Sequence, residues 1–230
     1  MDNGVNLNTV REEMLEGVVK YQFNRIICAI DGASSETYKM YRKGGDFETI
    51  IANIRKINEF KARYRSDLPI LRWQFVAFGH NEHEIPLARQ MAYELGMEFF
   101  VKLAWDDFSP VKNKELVRLS SKTEASSRKE YQEKHGSYYL IETVCSQLWL
   151  QPQINADGRV LGCCVNHWGD YGNALKEDLI GILNNEKMNY ARAMLRGKKE
   201  AREDIPCIHC DRYKGMKKSN TWLFPRKEKC

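Results

Sequence analysis

Four cysteines in the last third of the chain, Cys145, Cys163, Cys207 and Cys210, restrict its folding more than any other feature. Cys207-Ile208-His209-Cys210 is a CxxC knuckle, which holds two thiols on one tight turn. Cys163 ends the turn-bearing stretch Gly158-Arg159-Val160-Leu161-Gly162-Cys163, and Cys145 is expected to open the strand that leads into that turn. A hairpin brings Cys145 and Cys163 together at its open end, and the knuckle supplies two more ligands. Thiolates are soft ligands, and four brought to one point hold either Zn²⁺ or an iron–sulfur cluster. On spacing alone both readings stand. Cys164 is adjacent to Cys163 and points elsewhere, so Cys28, Cys164 and Cys230 are left over as thiols; His167 and His209 are the nearest substitutes for a thiolate.

The rest of the chain alternates helix and strand as far as residue 105. Val10, Met14, Leu15 and Val18 line one face of a helix capped by Thr9 and running to about Lys20. The apolar run Arg25 to Ile30 reads as a buried strand turned by Asp31-Gly32. Phe47, Ile50, Ile51, Ile54 and Ile57 give a 3.6-residue stripe on a helix that starts near Asp46. Ile70 to Phe78 is a second strand. After Asn81 a helix carries Leu87, Ala88, Met91, Ala92 and Leu95 and stops at Gly96, and Met97 to Trp105 is a third strand. Strands separated by single helices form βαβ units, so the sheet is expected to be parallel. Three strands cannot close a barrel, and an open edge calls for a cover.

Residues 106–143 are polar, with a weak helical pattern from about Lys122 to Lys134, and read as a connector. Residues 144–216 form a second, small domain: a β-hairpin turned at Asn155-Ala156-Asp157-Gly158, a helix from about Asp178 to Leu195, and the knuckle. Residues 217–230 are a tail. The fold class is therefore α/β, a partial parallel β/α barrel over 1–105 followed by a cysteine-ligated domain.

Bulk properties exclude several function classes. No apolar run approaches the roughly 18 to 20 residues that cross a bilayer, so no membrane partner is expected. Met1-Asp2-Asn3-Gly4 has neither the basic start nor the apolar stretch of a signal peptide. Cytoplasm is the default compartment, where cysteines serve as thiols and ligands. The net charge of +5 comes mostly from stretches such as Arg196-Gly197-Lys198-Lys199 and Lys217-Lys218. No aromatic-rich recognition motif accompanies them, so they read as solvated surface and nucleic acid is not expected.

Several of these stretches together resemble a known family. Cys145-Ser146-Gln147-Leu148-Trp149, Ile154-Asn155, Asp157-Gly158, Cys163-Cys164, Gly172-Asn173 and Ile205-Pro206-Cys207 resemble a SPASM domain, the auxiliary iron–sulfur module behind radical SAM barrels. Upstream, Ile30-Asp31-Gly32-Ala33-Ser34, Tyr38, Tyr41-Arg42, Gly44-Gly45 and Phe47 resemble the fourth strand and helix of such a barrel. Asn3-Gly4-Val5 is similar to the end of its third strand. Where members usually have Ser-Ile-Asp-Gly, this chain has Ala29-Ile30-Asp31-Gly32.

The resemblance implies one auxiliary [4Fe–4S] cluster on Cys145, Cys163, Cys207 and Cys210, relaying an electron from a substrate radical. It also puts Asp31 and Asn81 at the C-terminal ends of strands as cofactor-binding candidates, with Lys102, Trp105 and Asp106 closing the third strand. His80 and His83 at the second strand end read as a solvated helix start, not a metal pair. The CxxxCxxC motif that holds the S-adenosylmethionine-cleaving cluster does not occur in these 230 residues. S-adenosylmethionine is thus expected only if a front half is supplied. The expected partners are a separately encoded N-terminal half or a reductant protein, with a peptide, sugar or other small molecule as substrate. The alternative is a non-catalytic metal-stapled binding module or an inactive remnant, and enzyme status stays open at this point.

Overall fold

The computed structural model describes residues 7–105, 108–137, 139–140 and 144–224. Expectations placed on Asn3-Gly4-Val5, Asp106 and Cys230 lie outside them. The chain divides into two compact units between Tyr139 and Leu140.

The first unit is built on a parallel sheet of three strands in the order β1 (Arg25–Ala29), β2 (Ile70–Ala77), β3 (Glu98–Leu103). Arg25 stands opposite Ile70, and Val76 opposite Lys102. Helix α1 (Glu12–Lys20) precedes β1, and α2 (Ser35–Tyr41) with α3 (Phe47–Tyr64) connects β1 to β2. A 3₁₀ turn (Glu82–Glu84) and α4 (Ile85–Glu94) connect β2 to β3. Asp46 caps α3 by accepting the Thr49 N–H at 2.7 Å, and Phe47, Ile50, Ile51, Ile54 and Ile57 are all buried, as their spacing requires. In α1 the cap is Arg11, not Thr9, and Leu15 and Val19 are buried while Met14 is 54 % exposed.

The pleat divides the sheet's side chains between two faces. One face, with Ile26, Cys28, Leu71, Trp73, Phe75, Val101 and Leu103, belongs to the hydrophobic core shared with the α3 stripe. Burying a side chain of this size contributes about 1.5–3 kcal/mol. The other face carries Arg72, Gln74 and Val76 opposite Glu98, Phe100 and Lys102. Its N-terminal end is closed by Glu98, which bridges Arg25 and Arg72 at 2.6 Å each.

The polar stretch after β3 is more than a connector. It forms α5 (Lys114–Ser121) and α6 (Arg128–His135), and Val117, Ala125 and Tyr139 enter the first unit's core. Glu130 ties the two helices, accepting from Arg118 at 2.6 Å and from the Ser126 N–H at 2.8 Å.

The second unit departs from expectation where Cys145 was to open a strand: residues Gln147–Leu150 form a short helix, α7. The hairpin survives as one antiparallel bridge, Ile154 to Val160, with Asn155 N–H donating to Arg159 O at 2.9 Å and Leu161 N–H to Gln153 O at 2.8 Å. A third segment pairs with it, Val160 N–H donating to Gly172 O and Tyr171 N–H to Val160 O, both at 2.9 Å. The helix expected over 178–195 is two helices, α8 (Leu179–Leu183) and α9 (Glu186–Leu195), because Asn185 caps the second by accepting the Met188 N–H. A 3₁₀ turn (Pro206–His209) carries the knuckle into α10 (Asp211–Ser219).

Candidate metal centre

The second unit gathers Cys145, Cys163, Cys207 and Cys210 around one cavity of about 370 Å³, counted with its open mouth. Each comes from a different local structure. Cys145 precedes α7, Cys163 follows the returning hairpin arm, Cys207 lies in the 3₁₀ turn, and Cys210 caps α10. Between the thiols the wall is apolar, from Leu148, Leu161, Leu195 and Pro206.

Gly162 sets the position of Cys163. Its φ of +78° suits glycine, and a Cβ there would lie 2.6 Å from Leu148 and 2.7 Å from Tyr171. Asn166 then pins the following loop, donating to Leu161 O at 2.7 Å and Gly169 O at 2.8 Å. The backbone N–H groups of Val165 and Asn166 interact with the Cys163 thiol.

Burial dominates the electrostatics. It pushes the Cys207 thiol up to about 12, and the neighbouring thiols Cys145, Cys163 and Cys210 add to the rise. Cys163 is raised for the same first reason, against the opposing pull of the two backbone amides. The Tyr171 hydroxyl lies 3.4 Å from the Cys207 sulfur, and burial keeps that phenol protonated, so it donates when the sulfur is a thiolate. A metal centre binds the thiolate form, so its positive charge would have to offset the burial that keeps these thiols protonated. Four cysteine sulfurs lining one cavity are a donor set that fits a thiolate-bound metal group. Among the described residues, no three His, Cys, Asp or Glu side chains close tightly enough to hold a single ion. The thiols stand around the cavity instead.

Residues 145–211 match SPASM, an iron–sulfur cluster-binding domain. The likeness to that family lies within the second unit. It takes in the four cysteines, the hairpin, α8, α9 and the knuckle. Two solved structures of Streptococcus suis SuiB, one of them bound to S-adenosylmethionine, are similar to the chain at 14 % and 13 % identity, each with a TM-score of 0.49. The likeness covers 92 % of this chain and 54 % and 53 % of theirs, so the chain spans about half the length of the structures it matches. At that score it carries no argument about activity. No curated protein matches the chain.

Cys164, His167 and His209 are not among the residues that line the cavity. Cys164 is exposed and meets Gln147, while His167 packs tilted against Trp168, ring centroids 4.3 Å apart, and His209 lies exposed beside the same ring. Trp149 packs against Phe224 at 6.5 Å instead of lining the cavity. Tyr171 escaped the sequence reading; its one signal was its place before Gly172-Asn173.

In the first unit, Asp31 and Asn81 are both fully buried and engaged by the protein. Asp31 pairs with Arg42 at 2.6 Å and accepts the Val76 N–H at 2.7 Å. Asn81 donates to Asp31 O and Val76 O, each at 3.0 Å, and accepts the Phe78 N–H at 2.8 Å. Together they lock the end of β1 to the end of β2. His80 stacks on Phe78 with both ring nitrogens buried and unpartnered among the described residues, while His83 is exposed. Glu84 accepts from the Ala33 N–H, Ser34 Oγ and Thr37 Oγ1, which fixes the turn after β1.

No helix of the described residues is long and apolar enough to cross a membrane.

Proposed function

We propose that this chain is the C-terminal portion of a radical SAM enzyme, and that Cys145, Cys163, Cys207 and Cys210 bind one auxiliary [4Fe–4S] cluster that relays an electron from a substrate radical. The observation that carries the reading is the convergence of these four thiols on one cavity inside a SPASM domain. Four thiolates on one zinc ion sit about 4 Å apart, because each Zn–S bond is about 2.3 Å. Cysteines on separate irons of a cube stand farther from one another. The match of residues 145–211 to an iron–sulfur cluster-binding domain supports the second arrangement.

When bound, such a cluster supplies one-electron chemistry. This chain's own residues set the conditions. Leu148, Leu161 and Pro206 keep the surroundings apolar, Tyr171 donates to the Cys207 sulfur, and the Val165 and Asn166 amides act on Cys163. Hydrogen bonds to the sulfurs and exclusion of water are the protein's means of tuning a potential. Four cysteine ligands leave no iron open to substrate. In the first unit the α/β sheet would form one arc of the barrel, with Asp31 and Asn81 holding its strand ends in register. Cleavage of S-adenosylmethionine needs a CxxxCxxC segment, which these residues do not contain.

Iron and acid-labile sulfide analysis after anaerobic reconstitution tests the reading. Equal iron and sulfide, with a broad absorbance near 400 nm, is the expected result. Zinc bound in place of iron would instead identify a metal-stapled binding module. A second test mixes the chain with a strong reductant and S-adenosylmethionine. No 5′-deoxyadenosine is expected from this chain by itself, and its production would refute the assignment to the C-terminal portion.

A further inference from the structure

At the C-terminal end of the sheet face that carries Gln74, Val76 and Lys102, the charges of the described residues do not balance. Asp31 is the carboxylate among them, and Arg42 and the Val76 N–H already hold it. Lys102 stands beside it across Val76, close enough to feel Asp31, Arg42 and Arg128. Among the described residues it has neither a hydrogen-bond partner nor an ion pair. Arg128 gives Nε to Leu103 O and Ala104 O, and Nη1 to Tyr139 O, but its Nη2 is buried with no partner among the described residues. Its guanidinium is stacked on the Trp105 ring at 3.6 Å and on the Tyr139 ring at 4.8 Å. Among the described carboxylates, Glu82 accepts from the Lys112 and Asn113 N–H groups, and Glu84 from the turn after β1, so both are committed elsewhere.

Among the described residues, three cations therefore share one carboxylate, and Lys102 and Arg128 have no ion-pair partner. Charges drawn partly out of water without a partner are costly, and a buried donor left over calls for a cause. Burial and the neighbouring Arg128 both hold the Lys102 amine below the usual lysine range. An anion arriving here would relieve all of this at once. Lys102 is half-buried, and Trp105, 71 % exposed, lies over Arg128.

We propose that the C-terminal end of this sheet is an anion site, where Lys102 meets a carboxylate or phosphate group of a small ligand inside the positive field of Arg128 and Arg42. The site goes beyond the cluster reading and does not depend on it.

Competitive lysine acylation of the full chain, read by peptide mass spectrometry, tests the site with inorganic phosphate or citrate against chloride at matched ionic strength. Lys102 is expected to react about tenfold more slowly as the effective anion rises, while the exposed Lys129 and Lys218 keep their rates. Protection by phosphate but not citrate assigns a phosphate ligand, and the reverse assigns a carboxylate. Unchanged Lys102 rates with both overturn the proposal. In parallel, the protective anion is expected to raise the unfolding midpoint of the wild type and not of Lys102→Met. An equal rise in both would put binding elsewhere and overturn it too.

Discussion

The hydroxyl of Tyr171 lies 3.4 Å from the sulfur of Cys207, with Tyr171 buried and Cys207 half-buried in the second unit. A donor aimed at a ligand sulfur withdraws electron density from it and favours the reduced form. Tyr171→Phe is expected to keep iron content while lowering the midpoint potential on the order of tens of millivolts, since 59 mV corresponds to a tenfold change for one electron. Potentiometry followed by electron paramagnetic resonance reads this directly. An unchanged potential with full iron loading would remove Tyr171 from the tuning role.

Each of Cys145→Ser, Cys163→Ser, Cys207→Ser and Cys210→Ser is expected to cut iron and sulfide retention severely. Cys164→Ser, whose side chain points out toward Gln147, is expected to leave both at the wild-type level. Loss of iron in the Cys164 variant would mean that the ligand set has been misassigned.

Gly162→Ala tests how closely the backbone sets that ring. The added methyl meets Leu148 and Tyr171 at a φ of +78°, at a cost of about 1–3 kcal/mol. Slower cluster assembly is expected together with a lower unfolding midpoint of the second unit. Assembly at the wild-type rate would show that Cys163 finds its place without this turn.

In the first unit, Asp31→Ala removes the partner of Arg42 and leaves the Val76 N–H without its acceptor. Breaking a buried pair costs about 3–5 kcal/mol, and the 35 % exposure of the Arg42 side chain reduces that to about 2–3 kcal/mol. Urea unfolding measures it. A change within about 0.5 kcal/mol would mean that the strand ends do not rely on this contact.

Glu130 carries the expected pH dependence. The Ser126 N–H is the largest favourable influence on its carboxylate, with Arg118 next, and they hold its pKa at about 2. Because the folded value is depressed below the unfolded one near 4.5, the stabilisation is present above pH 4.5 and disappears as pH falls toward 2. After allowance for solvent screening it amounts to about 1–2 kcal/mol. Glu130→Gln should lower stability at pH 7 by that amount and flatten the acid limb between those values. Parallel stability curves for the two proteins would contradict this account.

The sequence was most legible where one physical requirement acted alone. The Phe47 to Ile57 stripe needed only helical periodicity, and the parallel sheet needed only buried strands separated by single helices. Four thiols around one cavity followed from ligand chemistry. Legibility failed where competing local options were close in energy. The segment 147–150 has strand-like composition, yet it turns as a helix that puts Leu148 against the cavity. Asn184-Asn185 splits a continuous apolar pattern because an asparagine side chain satisfies the free N–H groups of a new helix start. The stretch containing α5 and α6 is polar enough to pass for a linker, since Val117, Ala125 and Tyr139 supply most of its anchoring. The partnership of Arg42 with Asp31, and the placing of Lys102 and Arg128 without an ion-pair partner among the described residues, depend on three-dimensional neighbours that no spacing rule reports.

Cys145 and Cys210 bracket nearly the whole matched stretch of 145–211. A centre holding both would draw a long piece of backbone into closed rings, which depletes the disordered ensemble of conformations. Loading would then act on durability as well as electron flow: a bare protein would be trimmed by proteases across its C-terminal unit, while a loaded one would resist.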